Sequence, residues 1–175
     1  PHFIVRNLAV LVDTNNVGVA DTAISVLRSN LELYNVNIFD YWRIVPITKT
    51  LDKQEINRYL MLNNISAVLY LQFGFGNTNS SLVGVYSTAT TTSYGNSAYG
   101  SGVSIPIIRA DRESSGEAKL LDYKTGGTIW MGRFNSDSGG TLYSGTDTHV
   151  TSAMEKVSEE LSNLGYLGPQ RNRYR

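Results

Sequence analysis

Leu120-Leu121-Asp122-Tyr123-Lys124-Thr125-Gly126-Gly127-Thr128-Ile129-Trp130-Met131-Gly132 (residues 120–132) reads as a strand, a tight Thr-Gly-Gly turn and a returning strand. Glycine supplies the positive φ that a tight turn demands, so 117–123 and 128–136 are expected to pair as an antiparallel hairpin. Trp130 lies on the returning strand among Ile129, Met131 and Gly132. Alternation there makes it a residue packed on one face of the sheet, against the final helix through Val157 or Leu161, rather than a ligand platform.

The hairpin follows two helix-then-strand units. Residues 3–13 (FIVRNLAVLVD) form an aliphatic strand, buried from Leu8 to Val12. From Val19 the period changes, with Ala20, Ile24, Leu27, Leu31 and Tyr34 on one helical stripe that Asn35 ends. Residues 41–47 (YWRIVPI) are expected to be a strand, with Pro46 at its end or at an edge. Asp52 and Glu55 match a capping box opening a helix through Leu62. Residues 65–73 (ISAVLYLQF) form a near-continuous apolar run, the pattern of a strand covered on both faces. The last helix spans 148–164, with Val150, Met154, Val157, Leu161 and Leu164 on its stripe and Gly165 as its left-handed stop. The order is β-α-β-α-β, then antiparallel strands, then a helix: an α+β fold with helices packed on one mixed sheet.

From Tyr59 to Ile108 the chain has no Asp, Glu, Lys or Arg. Within that stretch, 76–102 is dominated by Gly, Ser, Thr, Asn and Tyr, a composition that cannot bury a core. Strands are expected at 82–88 and 103–110, with 76–102 as a flexible Gly/Ser/Thr/Tyr-rich hairpin or loop carrying Tyr94 and Tyr99 as candidate interaction residues. A lipid-facing strand needs about 9–11 residues of alternating character. Val103, Ile105 and Ile107 comply, Pro106 interrupts them, and alternation fails after Tyr86, which favours a water-exposed segment. The 175 residues fit one domain over 1–168, followed by a basic tail at 169–175 that includes Arg171, Arg173 and Arg175.

Composition narrows the chemistry. A formal net charge of zero leaves no basic footprint for nucleic acid. With no cysteine there is no disulfide, thiolate nucleophile or Cys-based zinc site. The two histidines, His2 and His149, lack partners at catalytic or metal-ligand spacing. Gly74-Phe75-Gly76-Asn77-Thr78-Asn79 begins like a dinucleotide fingerprint, but lacks its third glycine and leads into strand rather than helix. Asp111, Glu113 and Glu117, set among Arg109 and Arg112, read as a charge-balanced turn rather than a calcium loop. No cofactor, metal or catalytic residue is expected.

The run Asp122-Tyr123-Lys124-Thr125-Gly126-Gly127-Thr128-Ile129-Trp130-Met131-Gly132 resembles the D-x-x-T-G-x-x-x-W-x-G signature of small Gram-negative envelope lipoproteins. That group includes the curli-secretion lipoproteins and the N-terminal domain of the Tol translocation protein. Residues 65–71 are similar to the third strand of these families, with Ile65 and Ser66 where Gly is usual and no Asp after Ala67. The resemblance implies an anticodon-binding-domain-like fold in the periplasm, associated with the outer membrane through a lipidated Cys upstream of this chain. Asp122, Thr125, Gly126, Trp130 and Gly132 match as structural positions. The implied work is non-enzymatic: binding envelope proteins or cell-wall components, with homo-oligomers among the partners. The alternative is a subunit of an outer-membrane secretion pore, in which residues after Phe75 form a membrane hairpin.

Overall fold

A computed structural model describes residues 3–46, 51–94, 97–125, 127–140 and 146–170; within 75–114 and 136–140 it gives the course of the backbone. The elements run β1 (Asn7–Asp13), α1 (Val17–Leu31), β2 (Asn37–Asp40), α2 (Tyr41–Ile44), α3 (Lys53–Leu62), β3 (Ala67–Tyr94), β4 (Ser97–Leu121), β5 (Thr128–Gly140) and α4 (Thr146–Asn163). They build one sheet in the order β2-β1-β3-β4-β5, parallel across β2, β1 and β3 and antiparallel from β3 to β5. This is the mixed-sheet α+β architecture the sequence implies.

Local chemistry sets the helix ends. The Asn16 side chain accepts from the N–H groups of Gly18 and Val19 to cap α1. The capping box forms as expected: Asp52 Oδ1 accepts from Glu55 N at 2.8 Å, and Glu55 Oε2 accepts from Asp52 N at 3.2 Å. After α1 a short 3₁₀ turn ends at Asn35, whose φ of 57° is left-handed, and Gly165 does the same after α4 with a φ of 77°.

Two apolar layers flank the sheet. On one face Leu8, Val10, Ala67, Leu69, Leu71, Ala118 and Leu120 pack with Leu27 and Leu31 of α1 and with Val150, Met154, Val157 and Leu161 of α4. On the other, Ala9 and Val68 pack with Leu60 and Ile65. Because β1 and the start of β3 are covered on both faces, their sequences are continuous apolar runs.

Two strand expectations fail, and Leu164, expected on the apolar stripe of α4, is exposed beyond its end. Residues 41–47 are not a strand. The strand is Asn37–Asp40, and Tyr41–Ile44 is a single helical turn, because the Asp40 carboxylate accepts from Trp42 N at 3.0 Å and caps it. The strands expected at 82–88 and 103–110 are present but are parts of two much longer strands, of 28 and 25 residues, so the segment between them takes the hairpin alternative rather than the loop. Small polar residues cannot fill a core, but a backbone ladder does not require one. Such composition therefore reads as loop when it is ribbon.

Where the sheet passes from base to arm, Phe73, Gly116 and Phe134 stand in register across β3, β4 and β5. The Phe134 ring lies over Gly116, and the Phe73 and Phe134 ring centroids are 5.4 Å apart. A Cβ at Gly116 would sit 2.2 Å from Phe134 Cζ and 2.6 Å from the Gln72 carbonyl oxygen. Gly116→Ala is expected to destabilise the domain by about 1–3 kcal/mol through overpacking, measured by denaturant unfolding. A neutral result would show that the ring moves aside freely.

Candidate functional site: the signature turn and the long arm

The signature turn is built by short local hydrogen bonds. Asp122 Oδ1 accepts from Lys124 N at 3.0 Å, and Asp122 Oδ2 accepts from the Thr125 hydroxyl at 3.0 Å. Thr125 Oγ1 in turn accepts from Gly127 N at 3.1 Å, and Asp122 N donates to the Gly127 carbonyl at 2.9 Å. The Asp and the Thr therefore close the turn through local hydrogen bonds. Gly126 lies outside the described residues.

Trp130 and Gly132 form the second half of the signature. Gly132 lies under the Trp130 ring, and a Cβ there would come within 2.5 Å of Trp130 Cζ2. Trp130 joins the apolar layer that contains Val157 and Leu161, as expected. It is half-buried rather than enclosed, because β5 is the edge strand and the ring has strand on one side only. His149, in the first turn of α4, is buried.

On the opposite face, beyond the cover of α3, lies a polar ladder. Gln72, Glu117 and Arg133 are in register, as are Tyr70, Lys119 and Met131. The Glu117 carboxylate pairs with Lys119 and, at 3.6 Å, with Arg133 Nε. The Lys119 hydrogen bond, joined by the charge of both cations, holds Glu117 below the usual carboxylate range. Tyr70 donates its hydroxyl to Asp13 Oδ2 at 2.6 Å, and that bond raises its pKa. A cavity of about 400 Å³, lined by Gln72, Gly74, Ser115, Glu117, Arg133 and Asn135, opens beside the ladder. Among the described residues no group of three His, Asp or Glu side chains converges to hold a metal ion.

The arm is the other feature the elements bring together. Among the described residues β1 pairs β3 as far as Asp13 opposite Gln72, and β5 pairs β4 as far as Gly140 opposite Ala110. Beyond those points β3 and β4 continue as a two-stranded ribbon to Tyr94 opposite Ser97. Register shifts fall between Phe75 and Thr78 and between Leu82 and Gly84. Tyr94 and Tyr99 lie near its tip on opposite strands, with Tyr99 in register with Thr92. Arg109, Asp111, Arg112 and Glu113 occupy the stem, and no charged residue lies above it.

Sequence comparison found no matching family model and no matching curated protein. Comparison of folds did find relatives. The chain is similar to PelC from Paraburkholderia phytofirmans. The PelC dodecamer structure superposes with a TM-score of 0.56 at 15% identity, covering 97% of this chain and 94% of that one. A PelC variant dodecamer from the same organism gives 0.53 at 15% identity, over 94% and 93% of the two chains. The lipoprotein GNA1162 from Neisseria meningitidis gives 0.48 at 13% identity, over 90% and 98%. The shared property is the fold.

Asp122→Ala is expected to cost about 1–2 kcal/mol, the usual loss when a turn or cap oxygen is removed. Trp130→Ala should cost less than the roughly 3–5 kcal/mol of a fully buried aromatic. Iodide should quench Trp42, which is 46% exposed, more than Trp130. Equal quenching in the two single-Trp variants would contradict the packing of the signature. Glu117→Gln should lower stability at neutral pH. Because the folded pKa lies below the unfolded one, that difference should vanish as pH falls through the folded value, as urea unfolding at several pH values would reveal.

Proposed function

We propose that this chain is the non-catalytic domain of a Gram-negative envelope lipoprotein, and that its working part is the arm, which enters a bilayer as a β-hairpin. The lipoprotein assignment is supported by the 122–132 signature, seen as a locally bonded turn and a Trp–Gly stack. The non-catalytic assignment is supported by the absence of cysteine and by the neutralisation of Glu117 between Lys119 and Arg133.

One observation carries the membrane reading. Two boundaries fall at the same level of the ribbon: the charges end at Arg109, and a register shift separates Leu82 from Gly84. Above it the paired segments 84–94 and 97–107 are each about 11 residues long, the length of a bilayer-spanning strand. Tyr86 is at the foot of this span and Tyr94 and Tyr99 at its tip, the two levels where interfacial aromatics collect. Pro106, which breaks the sequence pattern, is at the foot beside the register shift, where a missing N–H is tolerated. PelC assembles as a dodecamer, so the fold is compatible with homo-oligomers.

The test labels Ser101→Cys, the sole cysteine of that variant, with an environment-sensitive dye. The protein is then mixed with phosphatidylethanolamine/phosphatidylglycerol vesicles and treated with protease. The expected result is a blue-shifted dye and a protected arm while the base stays accessible. A water-like spectrum with a digested arm would refute membrane entry and leave a water-exposed partner-binding domain.

A further inference from the structure

We propose that the polar cavity on the α3 face of the sheet is a binding site for an acidic sugar, a polyhydroxy molecule that carries one carboxylate. The cover of α3 ends low on this face, where Leu60 and Ile65 pack with Ala9 and Val68. Higher up, Gln72, Gly74, Ser115, Glu117, Arg133 and Asn135 of β3, β4 and β5 line a space of about 400 Å³, within the usual range of small-molecule sites. Gly74 keeps that space open, because a Cβ there would lie 3.3 Å from Ser115 Oγ and a longer side chain would occupy it. The side chains of Gln72, Ser115 and Asn135 are exposed and hydrogen-bond no other described residue. They are free to meet a ligand.

The chemistry of the lining selects the ligand class. Glu117 is its one carboxylate, and it is paired with two cations, Lys119 and Arg133, so the wall carries a surplus positive charge. Glu117 meets Arg133 at Nε, and the Arg133 side chain is 81% exposed, which leaves the outer N–H groups of its planar fork for a second carboxylate. Glu117 only accepts, whereas Gln72, Asn135 and Ser115 each donate and accept. A molecule that fits brings hydroxyl groups to Glu117 and the amides, and a carboxylate to Arg133. An apolar ligand would strip water from these groups and return no hydrogen bond. A bare polyanion would set like charge against Glu117. A nucleotide would need an apolar slot for its base, and Phe73, the one aromatic residue of the lining, packs its ring with Phe134 on the α1/α4 face. The site lies in the base, so it does not depend on where the arm resides.

The probe is D-glucuronate, titrated into the full chain and followed by NMR shifts and calorimetry. The expected result is saturable binding with shifts centred on the lining residues. D-glucose, which lacks the carboxylate, should bind at least about tenfold more weakly, the usual loss with a charge-assisted hydrogen bond. Arg133→Gln should weaken glucuronate by a similar factor with an unchanged far-UV spectrum. Asn135→Ala, at another exposed position, should also weaken it and decides the matter if Arg133→Gln fails to fold. Arg43→Gln, which alters an exposed arginine elsewhere in the base, should leave binding as it is. Failure of glucuronate to bind, equal binding of glucose, or full affinity in a folded Arg133→Gln or Asn135→Ala variant would overturn the proposal. Tighter binding of inorganic phosphate or of acetyl-dialanine would overturn it too, in favour of a simple anion or a peptide carboxylate.

Discussion

The pairing of β3 with β4, from Val68 opposite Leu121 to Tyr94 opposite Ser97, is the interaction on which the rest of the molecule depends. One strand serves two environments. Its first residues are the centre of a sheet covered by helices on both faces, and the remainder leaves that cover altogether. A mean strand has about 5–6 residues, so lengths of 28 and 25 are far outside ordinary domain construction. The same unbroken ladder that fixes the core also fixes the direction of the arm.

Base and arm are stabilised by different means. In the base, Leu8, Leu69, Leu71 and Leu120 are fully buried against α1 and α4, and the removal of apolar surface from water supplies most of the stabilisation. The signature serves this part: Asp122 and Thr125 close the turn that returns the chain to β5, and Gly132 makes room for the Trp130 ring. Phe134 over Gly116 marks the end of that regime. Above it, stability rests on backbone hydrogen bonds, and those are complete only when both edges of each strand are occupied.

The base is legible in the sequence because its signals are side-chain signals. The stripes of α1 and α4, the Asp52–Glu55 box and the doubly covered runs at 8–12 and 67–71 all follow from period and burial. The short strand Asn37–Asp40 escapes such reading because four residues carry little periodicity, while the aromatic pair Tyr41-Trp42 next to it resembles strand. The arm is hidden for a deeper reason. Its Thr, Ser, Gly and Tyr residues fail the demand of a hydrophobic core, and a ribbon paired through its backbone makes no such demand. The absence of charge from 59 to 108 is plain in the sequence. Its meaning emerges only when the ladder shows where the register shift falls relative to Arg109.

The most direct measurement is residue-resolved amide hydrogen exchange along 84–94 and 97–107 in protein reconstituted in phosphatidylethanolamine/phosphatidylglycerol vesicles. Successive N–H groups of an antiparallel strand point alternately to its two neighbours. Hydrocarbon excludes water from both edges, so an arm held in the bilayer should protect amides at odd and even positions alike. Alternating protection, with every second amide exchanging at the rate of free peptide, would mean that the outer edges stay in water and would contradict the account.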